Sequence, residues 1–268
     1  MNFLKFLKKD EKKPEYKPTK KKSEQTEEVA VRKGEIGEHK IDIQLSQLPK
    51  EYKYINDLLI PNPKSKSGYS QVDHVIVSPF GIFVIETKNY QGTIYGSRER
   101  KNWLLNGKFK MINPIIQNYG HIKALEAFID KSYHDHMYSM ISFTKRCTLK
   151  IDMSLREITA KEMVIYDLYF LETVNRKAAI LKLEYKEPII SNSNIQHIFE
   201  HLQKVNIIDP KVREKHKDIL SGNVKQHDST ELCVICKKPV SEKVKSYCLS
   251  NKKFNGKVYC YDHQKSSS

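Results

Sequence analysis

Apolar residues recur along this chain with two different periods, and the change from one to the other marks out the elements. From Gly34 the spacing is helical: Ile41, Leu45 and Leu48 make one stripe, and Glu38 lies on it three residues before Ile41. A carboxylate on the apolar stripe of a helix faces inward. Strand-like runs follow at 52–60, 71–78, 82–88 and 92–96, the last leading towards Trp103. Asn113-Pro114 predicts a helix start, since Asn caps and Pro suits the first helical position, and Ile122, Leu125 and Ile129 continue its buried stripe. Strands are expected within 138–152 and 163–166, helices over 167–175 and 193–205, and a charged helix or linker near 210–220. No internal repeat is present.

One hairpin departs from a simple apolar pattern. In QVDHVIVSPFGIFVIETKNYQG, residues 71–92, two buried-type strands carry Asp73, Glu86 and Lys88 near the ends remote from the Ser-Pro-Phe-Gly turn. Desolvating such charges costs several kcal/mol unless they are paired or bound to a metal. If Ser78 faces Gly81, residues whose numbers sum to 159 are opposite, so Asp73 faces Glu86, and Lys88 lies on the same face one pleat further out. Two opposed carboxylates can clasp a divalent cation such as Mg²⁺ or Mn²⁺, with Lys88 polarising a water or steadying a phosphate. A type I turn followed by a left-handed Gly bulge would instead slip the register and set Thr87 opposite Asp73, and the apolar faces near the turn do not choose between the two. A third reading is a buried ion pair of Lys88 with one carboxylate, the other lying exposed at the end of the sheet. His74 alternates to the face opposite Asp73 and reads as a packing histidine in preference to a ligand or base. Trp103 reads as a core or lid aromatic, and Cys147 as a buried thiol.

Composition narrows the partners. The 268 residues, 39% of them hydrophobic, suffice for one sizeable domain and a small module, and a formal charge of +15 with a pI of about 9.4 favours an anionic partner such as nucleic acid or an acidic membrane surface. No apolar run approaches the roughly 20 residues that span a bilayer and no signal-peptide pattern follows the first Met, so a cytoplasmic protein without a transmembrane segment is expected. Residues 1–30 are dominated by Lys, Glu, Pro, Ser and Thr after a short Phe/Leu start and read as a disordered basic tail, a solvated leader more than a membrane or nucleic-acid contact. A main domain is expected over 31–220 with a helical C-terminal extension, a linker over 221–230, and a separate module over 231–268.

That module holds four of the five cysteines. Cys233-x-x-Cys236 and Cys260-x-x-His263 are two ligand knuckles that can complete a tetrahedral Cys₃His zinc site, and zinc supplies folding energy that so short a segment cannot draw from a core. Cys248, four residues beyond Val244 on a helix capped by Ser241, is a packing thiol or a replacement for His263 as fourth ligand. A redox role for the Cys233 pair lacks the thioredoxin-like pattern around it. The Lys residues at 237, 238, 243, 245, 252, 253 and 257, interleaved with Tyr247, Phe254 and Tyr259, suit DNA tethering by charge and base stacking; the aromatics equally suit a mini-core.

Gly34-Glu-Ile-Gly-Glu38, Gln71-Val-Asp-His74, Gly81-Ile-Phe-Val-Ile-Glu-Thr-Lys-Asn89, Gly92 and Asn113-Pro-Ile-Ile-Gln117 together resemble the nuclease-related domain (NERD), which is placed in the PD-(D/E)xK nuclease superfamily. The likeness covers roughly residues 33–145. It implies an α/β fold with a restriction-endonuclease-like core, a mixed central sheet flanked by helices, beside the small zinc-finger-like C-terminal module. It implies further that Asp73 and Glu86 bind Mg or Mn, that Lys88 assists catalysis, that Glu38 binds a second metal or orients the water, and that Gln117 contacts substrate or the Lys88 network. Asn89 and Tyr90, following the catalytic strand, are candidate substrate contacts or turn residues. Val72 stands where the superfamily's nominal motif has Pro. The final segment resembles the zinc-binding tails of some bacterial nuclease-related proteins. The expected function is a metal-dependent nuclease acting on DNA; the alternative is a catalytically silent nucleic-acid-binding or protein-interaction protein on the same scaffold.

Overall fold

The protein is described from a computed structural model over residues 35–222, 231–240 and 242–266; the expected tail over 1–30, Ser241 and most of the expected linker lie outside the described residues. The chain forms two compact units, one comprising the described residues up to Leu58 together with Gln71–Val205, the other comprising Leu59–Ser70 and the described residues from Asn206 onward.

The first unit is built on a mixed five-stranded sheet in the order β1-β2-β3-β7-β9, with β1 Lys53–Pro61, β2 Tyr69–Ser78, β3 Gly81–Lys88, β7 Met137–Phe143 and β9 Glu162–Tyr166. Strands β2 and β3 are antiparallel, whereas β3, β7 and β9 run parallel to one another. The register pairs Ser78 with Gly81 and His74 with Ile85, so partner numbers sum to 159 and the slipped, bulged alternative is not adopted. Ser78 Oγ donates to Gly81 O at 2.8 Å and closes the turn.

Both faces of this sheet are covered, which is why its strands read as nearly continuous apolar runs. Against one face pack helix α1, over 35–45, and α3, Phe170–Tyr185, through Ile41, Leu45, Ile76, Phe83, Ile85, Met140, Phe170 and Val174. The other face carries Ile141, Phe143, Val164 and Tyr166, which pack with Ile115 of α2, Pro114–Leu125, and with a second sheet. This smaller sheet runs β6-β5-β4-β8, with β4 Gly92–Gly96, β5 Asn102–Leu105, β6 Phe109–Ile112 and β8 Cys147–Ile151. The expected strand region over 138–152 is therefore two strands belonging to different sheets. Trp103 is a core residue of β5, its ring stacked on Phe143 with centroids 6.1 Å apart and its Nε1 donating to Ser97 O at 2.9 Å. Gly96 permits this packing, because a Cβ there would come 2.2 Å from the indole. The helix expected over 167–175 runs on to Tyr185, and α4, Asn192–Val205, completes this unit.

Helix α2 is anchored by a buried asparagine. Asn113 Oδ1 accepts from Ile115 N at 2.9 Å, and its Nδ2 reaches the carbonyls of Ser97, Arg98 and Arg100 at 3.3, 3.1 and 2.8 Å. Replacing Asn113 by Ala removes the cap and strips those carbonyls of their donor in a site closed to water. We expect a loss of about 2–4 kcal/mol, read by denaturant unfolding followed through the single tryptophan. An unchanged midpoint would mean that the anchor contributes nothing.

In the second unit, Leu59 N donates to Asn206 Oδ1 at 3.0 Å, Ile207 N to Leu59 O at 2.9 Å, and His216 of α5, Pro210–Ser221, pairs with Ser67 Oγ at 2.8 Å. Its C-terminal part contains the bridge between Leu232 and Pro239, then α6, Glu242–Ser250, and α7, Tyr261–Ser266. Among the described residues no helix is long and apolar enough to cross a membrane.

Candidate functional site

The regular β2–β3 ladder is recorded as far as His74 and Ile85, and just beyond it the ionisable residues begin. Here the Thr87 backbone N–H and the Thr87 hydroxyl both donate, at 2.7 Å, to Oδ2 of Asp73. A side-chain carboxylate thus takes the place of a strand carbonyl. Glu86, only 3% exposed, projects beneath α2. Its Oε1 accepts from Lys88 Nζ and, at 2.7 Å, from Gln117 Nε2, while Gln117 Oε1 accepts from Lys88 Nζ at 3.1 Å. Glu86, Lys88 and Gln117 form a closed triangle. It is held in place by α2, where the neighbouring Asn118 donates to Val84 O and Ser139 Oγ, both at 2.8 Å.

The charges in this cluster are divided unequally. Burial, reinforced by the Glu86 and Glu38 carboxylates, holds the Asp73 carboxyl well above the usual carboxylate range in spite of the Thr87 amide. Burial pushes Glu86 the same way, but Lys88 and His121 outweigh it and leave Glu86 below its ordinary value. Burial likewise opposes the charge on Lys88, yet Glu86 and Asp73 keep its ammonium above its ordinary value. Glu86 is therefore favoured as an ionised carboxylate with a counter-cation beside it, whereas Asp73 resists ionisation, first because burial disfavours its charge and then because Glu86 and Glu38 are near.

Whether a divalent cation fits can be judged from the donors. Mg²⁺ is commonly bound by one or two carboxylates, with water and phosphate completing its shell. Glu86 Oε1 is occupied by Lys88 and Gln117, but Oε2 is buried without a hydrogen bond, and Asp73 is the carboxyl whose ionisation a cation would favour. Hard oxygen donors in need of positive charge fit such an ion. Glu38 joins them electrostatically from α1. The acidic groups do not form a ready-made cage: among the described residues, only a C-terminal Cys/His set brings three or more ligand atoms within 4.8 Å of one another.

Sequence reasoning passed over His121 and read Asn89 as a substrate contact or turn residue. His121, one turn beyond Gln117 on α2, lies with Nε2 3.2 Å from Glu86 Oε2. The only signal for it was the four-residue spacing from Gln117, which puts both on one helical face. Asn89 Oδ1 accepts from Arg146 Nη2 at 2.5 Å, and its Cβ abuts Gly37, where an added Cβ would lie 3.0 Å away. The asparagine side chain thereby lies against the turn of α1 that carries Glu38. His74 faces away from Asp73 and pairs through Nδ1 with Asn56 Oδ1 at 2.9 Å; burial pushes its imidazole down to about 4, so it is neutral at pH 7.

The Cys/His set consists of Cys233, Cys236, Cys260 and His263. Cys236 and Cys260 sulfurs are 3.7 Å apart, and His263 Nδ1 is 3.5 Å from Cys233 Sγ and 3.3 Å from Cys260 Sγ. Tetrahedral zinc, with bonds of about 2.3 Å to sulfur and 2.0–2.1 Å to nitrogen, needs edges of about 3.8 and 3.6 Å. The set could hold zinc. Burial raises the Cys233 thiol, but the amides of Cys236, Cys260 and Ile235 point at its sulfur and bring it down to about 5, which favours the thiolate that metal binding needs. Cys248 stands outside the quartet as a buried thiol, donating to Tyr259 O at 3.4 Å and accepting from Gln264 Nε2 at 3.3 Å. Phe254 is buried with Cys248, Val240 and Val258, so of the three aromatics considered for base stacking it belongs to the mini-core, whereas Tyr247 is exposed.

Comparison with known proteins adds the following. A family model described as nuclease-related domain matches residues 33–144. An uncharacterized protein of Bacillus anthracis, pXO1-01, is 32% identical over 188 residues, which are 69% of this chain and 82% of that protein. A crystal structure of a protein of unknown function, AF1548, aligns with 69% of this chain and 97% of its own at a TM-score of 0.31 and 13% identity.

Proposed function

Because the chain belongs to the nuclease-related domain family, we propose that it is a metal-dependent nuclease of the PD-(D/E)xK type that hydrolyses DNA phosphodiester bonds in the cytoplasm. The observation that carries this reading is the cluster at the end of β3, where buried Glu86 binds Lys88 and Gln117 through Oε1 and keeps Oε2 without a hydrogen bond, with Asp73 within electrostatic reach. Asp73 and Glu86 would hold Mg²⁺ or Mn²⁺. When bound, such an ion supplies Lewis acidity and a reactive water at neutral pH.

The chain's own residues do the rest. Lys88, held by Glu86 and Gln117, presents its ammonium where negative charge develops on a phosphate under in-line attack. Glu38 reaches the same pocket from α1 and would orient the attacking water. Gln117 keeps the lysine from swinging towards solvent and, with Asn89, stands where a substrate strand would pass. The formal charge of +15 favours a polyanion. We further assign 31–220 to the nuclease-related part and 231–268 to a zinc module that tethers the enzyme to DNA, with zinc on Cys233, Cys236, Cys260 and His263.

Incubating the full chain with single-stranded, duplex and branched DNA and with RNA, in Mg²⁺ or Mn²⁺, tests the reading. Cleavage of DNA is expected, and Asp73→Asn should lower it by at least about 100-fold while the folded state persists. Equal cleavage by the Asp73→Asn protein would refute the assignment. A second reading is favoured by the Lys88–Glu86 ion pair itself, which leaves the ammonium already satisfied: a scaffold that binds nucleic acid without turnover. It expects DNA retention that falls steeply with salt and no product with any cation.

A further inference from the structure

Resting on the proposed metal site, the geometry points to His121 Nε2 and Glu86 Oε2 as adjacent ligands of one divalent transition-metal ion, which makes this site favour such ions, Mn²⁺ among them, over Mg²⁺. Four observations lead there. The two atoms lie 3.2 Å apart, and neighbouring ligands of an octahedral ion with bonds of about 2.1 Å are separated by about 3.0 Å. The two side chains attract one another, yet Glu86 Oε2 and both ring nitrogens of His121 are buried without a well-formed hydrogen bond. Two buried polar atoms side by side, without a well-formed bond between them, can serve as donors to a common third atom.

The Glu86 carboxylate is also divided in its use. Oε1 is saturated by Lys88 and Gln117, so the lysine fixes the carboxylate while leaving Oε2 turned to His121. The histidine itself is not a loose surface side chain. It sits one turn after Gln117 on a helix pinned by the Asn113 cap and by Asn118 to β3 and β7, a support of the kind that holds metal ligands within a few tenths of an ångström.

An imidazole ligand changes which metal is preferred. Mg²⁺ takes oxygen, whereas the divalent ions of the first transition row accept an imidazole nitrogen, Mn²⁺ the most weakly of them, so that Mn²⁺ is the strictest probe of the preference. Among the described residues no third Asp, Glu, His or Cys ligand atom lies within 4.8 Å of both. The remaining positions fall to water, a substrate phosphate and Asp73 after rotation of its side chain.

The test reads the metal and not the reaction. The full chain, with its Cys/His set first loaded with zinc, is titrated with Mn²⁺, and the bound ion is examined by pulsed electron paramagnetic resonance. A directly bonded ¹⁴N coupling is expected, replaced by a ¹⁵N coupling when the protein is grown with ¹⁵N-histidine. His121→Gln should abolish that coupling and weaken Mn²⁺ binding at least about 10-fold by calorimetry, with less than about 3-fold change for Mg²⁺. His121→Asn provides an independent check should the glutamine variant fold poorly. Mn²⁺ that binds in an Asp73-dependent manner without any nitrogen coupling would overturn the histidine ligand and leave the nuclease reading standing. A coupling that persists in a folded His121 variant would overturn it equally, and absence of any Asp73-dependent Mn²⁺ binding would bring down both.

Discussion

Lys88→Met is expected to lower DNA cleavage about 10²–10³-fold at saturating Mn²⁺, and to do so together with a loss of stability whose pH dependence differs from that of the parent. On the proposed mechanism, the catalytic part follows from losing a fixed positive charge that would stand beside the phosphate in a largely buried cluster. The stability part follows from Glu86. Its carboxylate is buried, and burial alone raises its pKa; Lys88 is the first of the groups that reverse this. Stripped of that partner, a buried carboxylate costs about 3–5 kcal/mol unless it takes up a proton.

The two forms then respond to acid with opposite signs. In the parent protein, Glu86 has a folded-state pKa below its ordinary value, so its contribution is present above the ordinary carboxylate range and disappears as pH falls through the lowered value. In Lys88→Met the folded-state pKa rises above the ordinary value, so the contribution is present at low pH and disappears as pH climbs through the raised value. Thermal melts of the two proteins without divalent metal across pH 4–8 should therefore converge towards acid. The double variant Lys88→Met/Glu86→Gln should recover most of the stability at neutral pH and none of the cleavage. Recovery of cleavage in the double variant would show that Lys88 serves only to neutralise Glu86.

Removing zinc from the C-terminal part is expected to have the other large effect. The purified chain should carry one zinc, lose it in Cys260→Ser or His263→Ala, and retain it in Cys248→Ala, because Cys248 packs against Tyr259 and Gln264 while the quartet closes without it. The described apolar core around the quartet is small: Val240, Phe254 and Val258 with Cys233 and Cys248. So few buried side chains cannot offset the chain entropy of ordering a segment of this length, whereas a structural zinc contributes an apparent 10–16 kcal/mol, about the scale required. Chelation should abolish the ordered amide signals of residues 231–264 in an NMR spectrum and open that segment to proteolysis. Full zinc occupancy in the Cys260→Ser protein, or a folded segment in the presence of strong chelator, would count against the tetrahedral site.

Local sequence was informative wherever the deciding interaction is short in range. The Asn113-Pro114 start, the stripe of Ile41 and Leu45, and the two ligand knuckles each depend on residues within a turn or two of one another, so their spacing carries the physics. The region over 138–152 shows the limit. Its residues are equally strand-like on both sides of Thr144, but Met137–Phe143 pairs with β3 and Cys147–Ile151 pairs with β4, and nothing local says which partner a strand will find. Strands β5 and β6 carry little signal in the sequence because the alternation there is weak, and the fold leaves their apolar Phe109 and Ile112 exposed. The hairpin register was undecided for a related cause: both faces near its turn are apolar, so a one-residue slip moves nothing from oil to water.

What the amino-acid order alone determined is therefore which ionisable residues sit on elements that bury charge, a Glu, an Asp, a Glu and a Lys, and that four zinc-type ligands share one short segment. The folded chain decided how that chemistry is arranged. It chose the register that sums to 159, saturated one oxygen of Glu86 and left the other open, and brought His121 to that open side from a helix in a later part of the chain. Periodicity reports that a side chain is covered; only packing between distant segments determines by what, because that choice depends on shape and charge contributed by residues the local pattern does not contain.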